Sequence, residues 1–168
     1  MRFIVAIFFI LSGFSTTFAQ KEQPIIFNEN LPYSFPKVFK TIKTTLQDKG
    51  CSLERDKYSE GDNGLFKGNI KSEFCVFVEG EDSTYTFLQR YSQRVPTIRG
   101  GIWLAGRVQY IIILREKDDQ TVDMELKAEI SGFEQYVTNQ MQFFPANGVL
   151  EKEFIALLKE NLARSKSE

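Results

Sequence analysis

Chemistry in a protein chain needs groups that hold a proton, a metal or a nucleophile, and this sequence is short of them. It contains no histidine, which removes Ser-His and Cys-His nucleophile pairs and every histidine-bearing metal site. Its two cysteines, Cys51 and Cys75, are too few for a four-thiolate zinc centre. The adjacent carboxylates Asp118 and Asp119 have the residue type that glycoside chemistry uses. They fall in the tip of an expected hairpin, where water bathes them and nothing holds a substrate. Glu60, Asp62 and Asn63 lack the ligand spacing and closing glutamate of an EF-hand, so they read as a turn. Gly61 to Gly64 and Gly100-Gly101 lack the Lys-Ser/Thr ending of a phosphate-binding loop. These absences point away from an enzyme and away from any metal or cofactor.

Two constellations remain. Cys51 and Cys75 are either a disulfide or two buried thiols acting as small hydrophobes; in an oxidising compartment the bridge is favoured. The segment from Tyr85 to Arg107 mixes Arg90, Arg94, Arg99 and Arg107 with Tyr85, Phe87, Tyr91 and Trp103. One reading makes Arg90, Tyr91, Arg94, Arg99 and Trp103 a partner surface, since arginine with aromatic side chains dominates binding hot spots. The other reading is a long sheet connection, hinged at Gly100-Gly101 and Gly106. Its aromatics would then finish the core, and its arginines would pair with Asp123, Glu125 and Glu129.

The elements that position these residues follow from periodicity. Val38, Ile42 and Leu46 recur every fourth residue beside Phe35 and Phe39, which predicts an amphipathic helix over 35–48 with Gly50 at its exit. Residues 51–58 and 65–71 flank a turn-rich hexapeptide and read as a hairpin. Residues 74–78 and 84–88 are short strand candidates. Residues 108–115 form an apolar strand, and in 121–130 Val122, Met124, Leu126, Ala128 and Ile130 alternate with charged residues. Residues 131–146 are aromatic and less periodic. Asn147 then caps a second helix with a stripe of Leu150, Phe154, Leu157, Leu158 and Leu162. The sum is one α+β domain over 34–164: an antiparallel sheet with an N-terminal and a C-terminal helix packed on one face.

At the start of the chain, Met1-Arg2, the apolar run Phe3–Leu11 and the small residues Thr17 and Ala19 have the order of a secretory leader ending at residue 19. The run is shorter than the roughly 20 apolar residues that span a bilayer. The expected product is an exported protein, periplasmic or extracellular, without an integral membrane segment. Residues 20–33 are an extended lead-in and 165–168 a frayed tail. A formal net charge of −1 gives no general attraction to nucleic acid.

The first helix ends in Lys49-Gly50-Cys51-Ser52-Leu53, ahead of a strand, a glycine-containing turn and a second strand. The chain closes on residues 144–154, FPANGVLEKEF, where an Asn-Gly step precedes Leu-Glu at a helix start. Over residues 35–163 this layout resembles the helix-grip domains of the BamC envelope lipoprotein type and of similar small exported bacterial proteins. The chain departs from that pattern in having one such domain and no lipid-acceptor cysteine near residue 20, and no binding residue transfers by a matching motif. Export, the α+β layout, the missing catalytic groups and the Arg/aromatic segment 85–107 together point to a non-catalytic envelope-facing or secreted module that binds another protein. Helix-grip layouts also include START-type lipid-transfer proteins, which implies a second expectation, a carrier or sensor of a small apolar ligand held between sheet and helix.

Overall fold

The computed structural model describes residues 23–164; the expected leader (1–19) and tail (165–168) lie outside the described residues. In chain order the elements are β1 (Phe27–Leu31), α1 (Phe35–Asp48), β2 (Leu53–Glu60), β3 (Phe66–Ser72), β4 (Cys75–Glu79), α2 (Glu81–Tyr91), β5 (Ile102–Glu116), β6 (Val122–Gln135), β7 (Gln140–Pro145) and α3 (Val149–Arg164). The class is α+β, with all seven strands in one antiparallel sheet and three helices. Among the described residues no helix is long and apolar enough to cross a membrane.

Two long strands carry the sheet. Its order is β1-β6-β5-β3-β2, with β4 also on β5 and β7 also on β6. Each long strand therefore changes its outer neighbour midway. β5 pairs with β3 from Lys67↔Arg115 to Lys71↔Ile111, then with β4 from Cys75↔Val108 to Glu79↔Ala105. β6 pairs with β1 along Val122–Leu126 and with β7 along Glu129–Glu134. Both strands overrun their expected lengths because glycine interrupts the alternation without interrupting the pairing. Gly106 and Gly132 face each other in the ladder. A Cβ on Gly106 would lie 2.7 Å from Phe77 and Val78, and one on Gly132 would lie 2.8 Å from Leu88. Gly106 is thus a point of close approach inside a strand rather than a hinge.

The segment 84–88 is a helix, not a strand. Thr84, Leu88 and Tyr91 recur at helical spacing and all three are buried, with Glu81 and Asp82 at the favourable end of the helix dipole. The β-propensity of TYTFL yields to that burial. The helix α1 matches its expected stripe, while α3 buries Leu150, Phe154, Leu158 and Leu162 as expected but Glu151 and Ile155 in place of the half-buried Leu157. Phe35 and Phe39 of α1 lie so close over Gly68 that a Cβ there would meet Phe35 Cζ at 2.9 Å. Phe154 of α3 packs on Tyr110 of β5, ring centroids 5.0 Å apart. Asn161 of α3 donates to Thr45 of α1 at 3.0 Å, tying the two helices together. The cysteines are bridged, with Cys51 after α1 joined to Cys75 at the start of β4.

The first turn of α3 holds a carboxylate for which sequence gives no warning. Glu151 is completely buried, and its Oε1 accepts the Ala128 amide at 3.2 Å. Neither Oε2 nor the buried Tyr110 hydroxyl has a hydrogen-bond partner among the described residues. Burial therefore holds the Glu151 carboxyl above the usual carboxylate range, against the lowering effect of the backbone amides. Burial also raises the Tyr110 phenol, with Glu151 adding to the shift.

Two outcomes follow. Reducing the 51–75 bridge removes a constraint on the unfolded chain worth about 3 kcal/mol, so urea unfolding with and without reductant should give clearly separated midpoints. The unfolded chain releases the Glu151 proton near the ordinary carboxylate value while the folded chain keeps it to higher pH. Stability therefore falls as pH rises through that interval and levels off above the raised folded value. Urea midpoints measured from about pH 4 to about pH 8 should show a smaller fall for Glu151→Gln than for wild type.

Candidate functional site

Of the chemistry-bearing residues singled out above, most serve turns. Asp119 accepts from the Thr121 hydroxyl (2.7 Å) and amide (3.0 Å), which hold its carboxyl below the usual range. Asn63 accepts from the Leu65 amide at 3.3 Å. Among the described residues no three histidine, cysteine or acidic side chains gather as metal ligands.

The arginine–aromatic segment does not form one surface. Trp103 is 4% exposed and Tyr91 8%, both belonging to the core. Trp103 meets Phe144 edge to face at 5.4 Å, and Tyr91 meets Phe77 at 5.4 Å. Arg90 lies 5.2 Å over the Tyr91 ring and 3.6 Å from Glu153, while Arg94 and Arg99 are exposed in the loop between α2 and β5. The acidic side chains expected to pair with this segment pair with neighbours instead: Asp123 with Lys117, Glu125 with Arg115 and Glu129 with Lys127. The aromatics do finish the core, as one reading expected, but the arginine pairing is replaced by shorter-range partners along the strands.

Large exposed apolar side chains lie elsewhere, at Ile25, Ile26, Tyr58 and Val76 and, in the largest group, on the β6–β7 hairpin. Tyr136 is 65% exposed, Val137 54% and Phe143 67%. The hairpin is built around a second buried carboxylate. Glu134 accepts from the Val137 amide (3.2 Å), the Thr138 amide (2.6 Å) and the Thr138 hydroxyl. Burial alone would raise its pKa, but the Thr138 hydroxyl and the amides of Thr138, Val137 and Asn139 outweigh it and hold Glu134 below the usual range. This anchoring fixes a turn in which Tyr136 (φ 81°) and Asn139 (φ 51°) take the left-handed conformation. Gly101 closes over the same carboxylate; a Cβ there would sit 2.4 Å from Glu134 Oε1.

The hairpin projects β7 at an edge of the sheet. Register places Val76, Arg107, Ser131 and Phe143 in one row across β4, β5, β6 and β7, so all four share a face. On that face Phe74 and Phe143 meet edge to face at 5.8 Å, Val76 is 44% exposed, and Ser131 is fully buried. The outer face thus carries Val76, Phe143 and the exposed Arg107 turned toward solvent beside the buried Ser131. Sequence held one signal for this site: from Gln135 to Leu150 the chain has no charged residue. Lack of alternation in 131–146 hid the strand that this run contains.

Neither a protein-family model nor any of the curated proteins matches this chain.

The turn's dependence on a packed carboxylate is testable. Gly101→Ala places a methyl group against Oε1 of a carboxylate that three hydrogen bonds, one on Oε1 and two on Oε2, hold still. It should destabilise the protein by about 1–3 kcal/mol, as overpacking generally does, read as a lowered urea midpoint. Gly100→Asn, at a positive-φ turn with nothing within 4 Å of a Cβ, should cost much less.

Proposed function

We propose that this chain is a non-catalytic, exported protein-binding module of the cell envelope, and that it binds through the β6–β7 hairpin and the adjoining outer face. The observation that carries the reading is the concentration of Tyr136, Val137 and Phe143, all more than half exposed, on one charge-free hairpin. Large apolar side chains gathered at a soluble surface mark contact sites, because leaving them in water forfeits their burial energy. The turn that presents them is held by Glu134, so little conformational freedom would be lost on binding. Export rests on the leader-like residues 1–19, and the envelope setting on the helix-grip resemblance.

A second reading, carriage of a small apolar ligand, has one observation in its favour. A cavity of about 190 Å3 lies between α1 and the β2–β3 hairpin, lined by Phe35, Pro36, Phe39, Tyr58 and Phe66. It is smaller than the roughly 300–1,000 Å3 typical of ligand pockets. A cleft of about 590 Å3 beside α1 is roomier, but Lys37, Lys40, Thr41, Thr44 and Asp48 make it polar. Close packing of Phe154 on Tyr110 and of Phe35 on Gly68 leaves the helix–sheet contacts filled rather than hollow.

Photo-crosslinking in the native envelope separates the readings. A crosslinker at position 141 should give a protein adduct that Phe143→Ala weakens markedly, as loss of a hot-spot side chain costs about 2 kcal/mol or more. Adducts from position 94 alone would move the surface to the arginine loop. No adduct from either position, with a co-purifying lipid in native mass spectrometry, would replace the reading with the carrier.

A further inference from the structure

Along β3 and β5, Gly68, Ile70, Ile112 and Leu114 are buried on one face of the sheet, so Lys67, Asn69, Ile113 and Arg115 line the other. Register sets two adjacent rows on that outer face. Lys57, Asn69 and Ile113 form one across β2, β3 and β5, and Ser59, Lys67 and Arg115 form the next. The short side chains of Ser59 and Asn69, with half-buried Ile113, lie among three long cations. A cleft of about 530 Å3 opens over them, with no carboxylate in its lining. Its size falls within the roughly 300–1,000 Å3 of ligand pockets.

The charges of this cleft do not cancel. Lys67 stands directly opposite Arg115 in the ladder, and like charges facing each other across strands destabilise a sheet. Lys57 is the diagonal neighbour of Lys67, with Cα atoms about 7–8 Å apart. Arg115 is answered by Glu125. Neither Lys57 nor Lys67 has a carboxylate within ion-pair distance among the described residues. Other acidic residues of the face have their own partners: Glu54 has Lys71, Asp123 has Lys117 and Glu129 has Lys127. Two positive charges are therefore left over at one cleft, beside the Asn69 amide and the Ser59 hydroxyl as neutral donors. The cleft beside α1 differs, because Asp48 lies among its lysines and Lys37 sits 4.9 Å over the Tyr33 ring.

We infer that this cleft binds a phosphomonoester group carried by a small soluble molecule. Such a group brings a charge of about −1.5 to −2 near pH 7 and three acceptor oxygens. It matches the two unanswered lysines and the neutral donors beside them. A bound dianion also relieves the repulsion that register imposes between Lys67 and Arg115. A carboxylate or a phosphodiester, with a single charge, leaves one lysine unanswered. A bilayer surface fits less well, because the exposed apolar side chains of this face, Val76 and Phe143, lie in the row of Arg107. That row is roughly 27 Å along β5 from Arg115. The cleft is separate from the hairpin contact face and stands or falls without it.

The experiment uses the leader-processed protein with glycerol 3-phosphate as the probe, followed by backbone amide chemical shifts. Wild type should show saturable shifts at Ser59, Lys67, Asn69 and Arg115, with a Kd on the order of 1 mM, since only one small group is held. Lys57→Gln combined with Lys67→Gln should weaken binding at least about tenfold, through loss of charge-assisted hydrogen bonds. Both lysines are exposed, and Lys67→Gln removes a like-charge pair, so the urea midpoint without probe should not fall. That readout separates lost binding from a lost fold. Dimethyl phosphate, a singly charged diester, should bind several-fold more weakly than the monoester. Absence of saturable shifts in the cleft, equal binding by the double variant, or equal affinity for dimethyl phosphate overturns the inference. Co-sedimentation with phosphatidic acid vesicles that the double variant abolishes, without shifts from glycerol 3-phosphate, would also overturn it and assign the lysines to a bilayer surface.

Discussion

Fifteen residues of β5 and fourteen of β6 pair along almost their full lengths, and five further strands attach to this ribbon directly or through one neighbour. One alternation of side chains along the pair, Tyr110, Ile112 and Leu114 opposite Ala128, Leu126 and Met124, supplies the centre of the core. Because the period of a strand is two, a slip of one residue would turn this whole set outward. Register is thus the constraint on which the rest depends. The row of Val76, Arg107, Ser131 and Phe143, and hence the proposed contact face, exists only in that register.

Two buried carboxylates show how partners decide the sign of an electrostatic effect. Glu134 and Glu151 are equally inaccessible to solvent. Glu134 receives two backbone amides and a hydroxyl, and its charged form is favoured. Glu151 receives a single cross-element amide on one oxygen and nothing on the other, and its neutral form is favoured. The first builds a rigid turn that displays β7. The second sits where α3 joins the sheet, and burial there shifts it toward its neutral form.

Edge chemistry differs around the sheet. The strongly charged β2 ends the sheet on one side in a form that resists addition of a strand. The β7 edge, beside β1 on β6, carries no charge, though it ends in Pro145 and residues 91–93 cover it from 145 onward, and the same hairpin carries the most exposed aromatic side chains of the described residues. Burial of Trp103 and Tyr91, with Tyr85 and Phe87 half-buried, takes most of the aromatic part of the arginine segment into the core, leaving Arg94 and Arg99 as a charged loop. The proposed contact face is therefore mainly apolar, with Arg107 the arginine of that segment that lies in its row.

What sequence by itself determined was whatever a local period or a residue count expresses. The stripe in 35–48, the alternation of 122–130, the α3 stripe and the class they imply are all of this kind, because one buried face imposes a repeat on one segment. Absence of histidine likewise limited the chemistry with no structure at all. Tertiary structure decided what depends on distant neighbours. It made 84–88 helical by burying Leu88 against Gly132, and it carried β5 and β6 through their glycines by filling those gaps with Phe77, Val78 and Leu88. It also chose the disulfide over two separate thiols. The β7 edge was invisible in sequence for the same reason: an edge is defined by the strand that is not beside it, and only the assembled sheet shows which strand that is.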